Sequence, residues 1–101
     1  MKTYAVVAVL QIADELAFTQ FEQRALNIMA SHGGELLSAF RSGPGQETHC
    51  LRFPDKQAFK NYQQDPGLAA LAELRSAAIE ATCVYEEMTV PAPGEARAAK
   101  E

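Results

Sequence analysis

Residues 47–62 (ETHCLRFPDKQAFKNY) constrain the fold more than any other stretch of the chain. An apolar strand stops at Phe53-Pro54, because proline brings no backbone N–H to a sheet ladder. A helix begins within two residues, with Asp55 placed to accept from its first free N–H groups. A strand that turns this abruptly into a helix is a central strand, and the helix has to lie back across the sheet.

Residues 4–11 (YAVVAVLQ) add the second constraint. They are apolar at odd and even positions, where a strand wet on one face would alternate. Continuous apolarity means that both faces are covered. The chain's own helices can cover one. A chain of 101 residues is a single domain, and nothing in it is left over for the other face. A second copy of the chain is the expected cover.

The remaining elements follow in order. Residues 14–31 read as a helix with Phe18, Phe21, Ala25, Ile28 and Met29 on one side. Gln20, Glu22, Gln23, Arg24 and Asn27 fill its other positions. Thr19 and Glu22 have capping-box spacing, and Asp14 offers an earlier cap. Gly33 can take the left-handed conformation that ends a helix. Residues 34–41 and 47–53 form an antiparallel hairpin around Ser42-Gly43-Pro44-Gly45, a turn longer than two residues with slack expected at its tip. Ala58, Phe59 and Tyr62 face inward on the next helix. Asp65-Pro66 is a second helix start, so the helical region is broken there and resumes to about Ala81. Residues 83–90 are the fourth strand. The predicted domain spans residues 1–90, and residues 91–101, rich in Pro, Ala, Gly and charge, read as a mobile tail.

The order strand, helix, strand, strand, helix, strand is the split βαβ, or ferredoxin-like, arrangement. It predicts a four-stranded antiparallel sheet with the first and third strands central and both helices on one face. Two such sheets packed through their bare faces give a two-fold dimer, a dimeric α+β barrel.

Charge excludes several partners. The net charge is −4, from nine Lys and Arg against thirteen Asp and Glu. Nucleic-acid binding needs a basic patch to displace counterions, and no such patch is present; an anionic membrane surface repels the chain for the same reason. The apolar run after Lys2 breaks at Gln11 with no small-residue cleavage site before Glu15, so it reads as a strand rather than a signal peptide. No stretch approaches the roughly 18 apolar residues of a membrane span. A cytoplasmic location is expected.

Several features resemble a family of small uncharacterised bacterial proteins in the dimeric α+β-barrel superfamily. They are Gly33-Gly34 leading into a strand, the Phe53-Pro54-Asp55 junction, Tyr62 followed by Asp65-Pro66, Leu74-Arg75, and Val84-Tyr85-Glu86-Glu87. The resemblance covers roughly residues 4–87 and implies a homodimer with a pocket between sheet and helices. The superfamily includes antibiotic-biosynthesis monooxygenases, haem-degrading monooxygenases and muconolactone isomerases. Its cofactor-free monooxygenases commonly use Trp with Asn around an aromatic substrate, and this chain has no Trp. The haem-degrading members bind iron through a helix His, and no His precedes His32 in these helices.

The residues themselves supply the candidate chemistry. His49 lies on a central strand and shares a face with Leu51 and Phe53; it is either a hydrogen-bonded core residue or a proton-transfer group. Arg52 lies on the opposite face with Thr48 and Cys50, and a strand Arg needs a partner: Glu35, Glu86, Glu87, a dimer mate or an anionic ligand. Arg75, on the apolar side of its helix, either snorkels or points into the pocket. Tyr62, Tyr4 and Tyr85 are core aromatics or ligand-facing hydroxyls. His49 and Cys50 point to opposite faces of one strand, and no Cys-x-x-Cys or His-x-x-x-His spacing occurs, so no metal site and no cofactor are expected. With the first strand between them, Cys50 and Cys83 are out of bridging reach. Two functions remain open. One is a cofactor-independent enzyme, monooxygenase- or isomerase-like, using His49 with Arg52 or Arg75 on a small anionic or carbonyl compound. The other is a non-catalytic ligand-binding or structural dimer.

Overall fold

The computed structural model describes residues 3–86. In it β1 (Tyr4–Ile12), β2 (Glu35–Gly43), β3 (Gln46–Phe53) and β4 (Ile79–Glu86) form one sheet in the order β2-β3-β1-β4. Every neighbouring pair is antiparallel. Helix α1 (Glu15–Ser31) connects β1 to β2. Three short helices, α2 (Lys56–Gln63), α3 (Pro66–Ala69) and α4 (Ala72–Ala78), connect β3 to β4. This is the ferredoxin-like α+β arrangement, with β1 and β3 central.

Side chains alternate along β1. Tyr4, Val6, Ala8 and Leu10 are buried, while Ala5, Val7 and Val9 on the other face are only half-buried. The buried set meets the helices in two clusters. Leu10 packs with Ala17, Phe18, Phe21, Ala25, Ala78 and Ile79. Tyr4 and Val6 pack with Met29, Leu51, Phe53 and Phe59. The opposite face carries Phe40 and Tyr85, both about half exposed.

Asp14 caps α1, its Oδ1 accepting from the Leu16 N–H at 3.1 Å. Thr19 sits inside the helix, where its hydroxyl donates to the Glu15 carbonyl at 3.1 Å, so the capping-box spacing is not used. At the other end Gly33 has φ +78° and its N–H donates to the Ala30 carbonyl. A Cβ on Gly34 would lie 2.5 Å from Met29 Cγ and 2.6 Å from Phe53 Cε2. Only glycine lets β2 start that close to the core.

The β2–β3 turn is tighter than the sequence suggested. Gly43 pairs with Gln46, leaving Pro44 and Gly45 as a two-residue connection, with Gly45 at φ +66°. A register shift between Arg41 and Gly43 absorbs the extra residue. The Ser42 hydroxyl accepts from Gln46 Nε2 at 2.9 Å and from the Thr48 hydroxyl at 2.8 Å. These bonds tie down a tip where slack was expected.

The boundary before β4 also differs from expectation. Helix α4 ends at Ala78 and the strand begins at Ile79, not near residue 83. Tertiary contacts override the helical spacing: Ile79 pairs with Ile12 and is buried, and the Ala78 carbonyl accepts from the Ala13 N–H at 2.8 Å. Residues 87–90 of the predicted strand and the predicted tail lie outside the described residues. Cys50 and Cys83 are both free thiols, opposite Val7 and Val9 on either side of β1. Among the described residues no helix is long and apolar enough to cross a membrane.

One ion pair joins the end of α1 to the start of α3: His32 Nε2 lies 2.7 Å from Asp65 Oδ2. The other Asp65 oxygen accepts from the Gly67 N–H at 2.6 Å. The His32 bond, then the Gly67 N–H, holds the Asp65 carboxyl below the usual carboxylate range. A depressed native value means that the contribution is complete above the unfolded pKa, about 3.9. It is lost as pH falls through the native value. Thermal midpoints of wild type and Asp65→Asn should therefore differ most at neutral pH and converge below about pH 4. A pH-independent gap would show that the carboxylate charge plays no part.

Candidate functional site

A cavity of about 290 Å³ lies between the helices and their face of the sheet, lined by members of both core clusters. Its size is near the lower end for small-molecule sites. Its polar groups are His49, Glu22, Tyr62, Gln63, Arg75 and Thr82. Arg75, Thr82 and Val84 are solvent-exposed, so the cavity opens on the β4 side.

His49 stands opposite Ala8 on β1 and Ala39 on β2. Small neighbours on both sides leave room for its ring, which packs 6.2 Å from that of Phe18. The residue is only 6% exposed. Its Nε2 is 2.9 Å from Glu47 Oε1 and 3.1 Å from Glu22 Oε2. Glu47 precedes it by two positions on β3 and so shares its face. Glu22 arrives from α1, one turn beyond Phe18. Burial pushes the Glu22 carboxyl up, the His49 charge opposes that shift, and the Glu47 charge adds to it. Arg41 extends the network, donating to Glu47 Oε2 at 3.4 Å and to Glu15 Oε2 at 2.8 Å.

Arg75 reaches the same cavity from α4. Its Nη2 donates to the Thr82 hydroxyl at 2.8 Å, and it has no carboxylate partner among the described residues. It is both exposed and cavity-lining, which combines the two readings drawn from the sequence. Tyr62, half-buried on α2, forms another wall. Burial pushes its phenol up, and the Arg75 charge pulls against that.

The structure thus brings His49, Tyr62 and Arg75 together and leaves Arg52, Tyr4 and Tyr85 outside the cavity. Arg52 lies across the sheet from His49 and pairs with Glu35, its Nε donating at 3.1 Å. Tyr4 is a buried core residue whose hydroxyl donates to Glu86 Oε1 at 2.6 Å. Tyr85 pairs with Val7 on the bare face. Only Arg75 of the two candidate arginines can act with His49 in the cavity, because β3 itself separates Arg52 from it.

Glu22 and Glu47 were not singled out in the sequence, although a signal for each exists. Glu22 continues the core stripe of α1 at Phe18, Ala25 and Met29. Glu47 follows from strand alternation once His49 is known to face inward.

The sequence matches the model of a domain of unknown function, DUF1330, over residues 2–88. The chain belongs to the DUF1330 family. This agrees with the resemblance carried by Gly33-Gly34 and the Phe53-Pro54-Asp55 junction. No curated protein matches the sequence significantly. Among solved structures, RPA0582 from Rhodopseudomonas palustris, a protein of unknown function, is similar to this DUF1330 chain with a TM-score of 0.73. The two are 14% identical, over 88% of this chain and 84% of that one. SnoaB, a cofactor-independent oxygenase from Streptomyces nogalater, has a TM-score of 0.72 at 14% identity, over 92% and 98% of the two chains. A dabb family protein with a ferredoxin-like fold from Mesorhizobium loti has a TM-score of 0.66 at 16% identity, over 90% and 100%. At these identities the likeness carries the fold alone.

Proposed function

We propose that this DUF1330 protein is a small enzyme acting on an organic molecule with an anionic or carbonyl group, bound in the cavity beneath α1 and α4. His49 moves the proton and Arg75 holds the negative charge. The observation that carries this reading is a buried imidazole, set between two carboxylates, facing the same cavity as an arginine without a carboxylate partner among the described residues. A neutral imidazole that donates Nε2–H to Glu47 keeps its lone pair on Nδ1, where a proton can be taken up. That is the cycle required of a general base. Monooxygenase- or isomerase-like chemistry without an organic cofactor fits this set, and SnoaB shows that the fold accommodates a cofactor-independent oxygenase.

The active form in this reading is a cytoplasmic homodimer. Ala5, Val7 and Val9, flanked by Phe40 and Tyr85, make an apolar face that a second copy would bury. Native mass spectrometry tests both parts. The expected species is a dimer that gains one small carboxylate, such as benzoate, per chain. Arg75→Ala should bind that carboxylate about tenfold more weakly, the loss of one charge-assisted contact. A monomer would overturn the assembly. Equal carboxylate binding by wild type and Arg75→Ala would overturn the anion site.

A further inference from the structure

We propose that Glu22, Glu47 and His49 also form a binding site for a divalent first-row transition-metal ion. The inference rests on the same cavity wall as the proposed enzyme but is tested separately from it. One carboxylate oxygen of each glutamate and one ring nitrogen of His49 all lie within 4.8 Å of one another. Sequence spacing could not reveal this set, because one ligand comes from α1 and two from β3.

Charge balance points the same way. Side-chain exposures are 8% for His49, 15% for Glu47 and 25% for Glu22, so water screens the group poorly. Two carboxylates converge on a single ring nitrogen. A neutral imidazole satisfies one of them with its N–H, and an imidazolium neutralises one of the two charges. A dication beside a neutral imidazole neutralises both, whereas Arg41 reaches only Glu47, at 3.4 Å, and shares its charge with Glu15.

Geometry and donor type narrow the ion. Bonds of about 2.0–2.2 Å at tetrahedral angles hold donors roughly 3.4 Å apart. The observed Nε2 separations of 2.9 and 3.1 Å need to open by only a few tenths of an ångström. One imidazole with two carboxylates suits zinc, cobalt or iron better than magnesium, which prefers oxygen and its own waters. Three protein ligands leave a coordination position facing the cavity, as in catalytic zinc sites. Arg41, bonded to the far oxygen of Glu47, supplies the outer-shell contact that orients such a ligand.

An ion on Nε2 takes the place of the Nε2 proton that otherwise serves Glu47, and the ring keeps its remaining proton on Nδ1. Metal and proton are therefore alternative occupants of that nitrogen. The test is calorimetry of the untagged full chain with zinc, together with the visible spectrum of the cobalt(II) form. One ion per chain is expected, with cobalt absorption of a low-coordinate nitrogen–oxygen site. Glu22→Gln and His49→Ala should each lose at least about tenfold in affinity. His32→Gln and Cys83→Ser should bind as wild type does. Absence of stoichiometric zinc binding by the wild type would overturn the proposal. So would binding that survives His49→Ala and disappears in His32→Gln or Cys83→Ser. A chain that turns over its substrate yet binds no ion would sink this inference and leave the proposed enzyme standing.

Discussion

His49→Gln is expected to lower turnover at the cavity by about 10²–10⁴-fold, the range for removing a general acid or base. Glutamine is the informative replacement. It keeps an N–H that can serve Glu47, which also accepts from Arg41, so the fold should persist. It cannot take up and release a proton. Loss of kcat with little change in KM would mark a role in the chemical step. The limb of the pH–rate profile that reports the imidazole should vanish in the same variant. Full turnover by His49→Gln would remove proton transfer from the mechanism and leave the cavity a binding site.

Phe53→Ala is expected to cost about 3–5 kcal/mol, read from urea denaturation, as for other large aromatic truncations in a core. Phe53 has no solvent exposure. Its ring lies 5.1 Å from Phe59 and 5.7 Å from Tyr62. It also fills the space above Gly34, where no side chain can enter. The substitution leaves a void bounded by β3, α2 and the end of α1. For a domain whose whole stability is about 5–15 kcal/mol, the loss is a large fraction. A cost below about 1 kcal/mol would mean that neighbouring rings refill the space.

Both predictions start from residues that strand alternation places on one face, and the structure turns that face to the helices. His49, Leu51 and Phe53 share the buried face of β3, and Arg52 takes the other, as their positions require. The Asp55 cap, the Asp65-Pro66 start and the Gly33 helix end were equally legible, because each depends on a local bond or a local φ value. Two boundaries were not. The helical spacing through residue 81 suggested a longer last helix, but pairing of Ile79 with Ile12 draws those residues into β4. The hairpin tip looked loose until the Ser42 hydroxyl was found to accept from both Gln46 and Thr48.

The sequence by itself determined the element order, the central place of β1 and β3, and which side chains of a strand share a face, but not which face meets the helices. Those properties follow from period-two alternation and from the short-range chemistry of proline, glycine and aspartate. Only the tertiary structure decided that Glu22 meets His49, that Arg75 opens onto the same cavity, and that Arg52 is cut off from it by the sheet. Those contacts depend on how α1 and α4 are rotated and placed over the strands. Packing of Phe18, Phe21, Ala25 and Met29 sets that placement for α1, and Ala78 with Ile79 sets it for α4. No spacing rule within one segment carries that information.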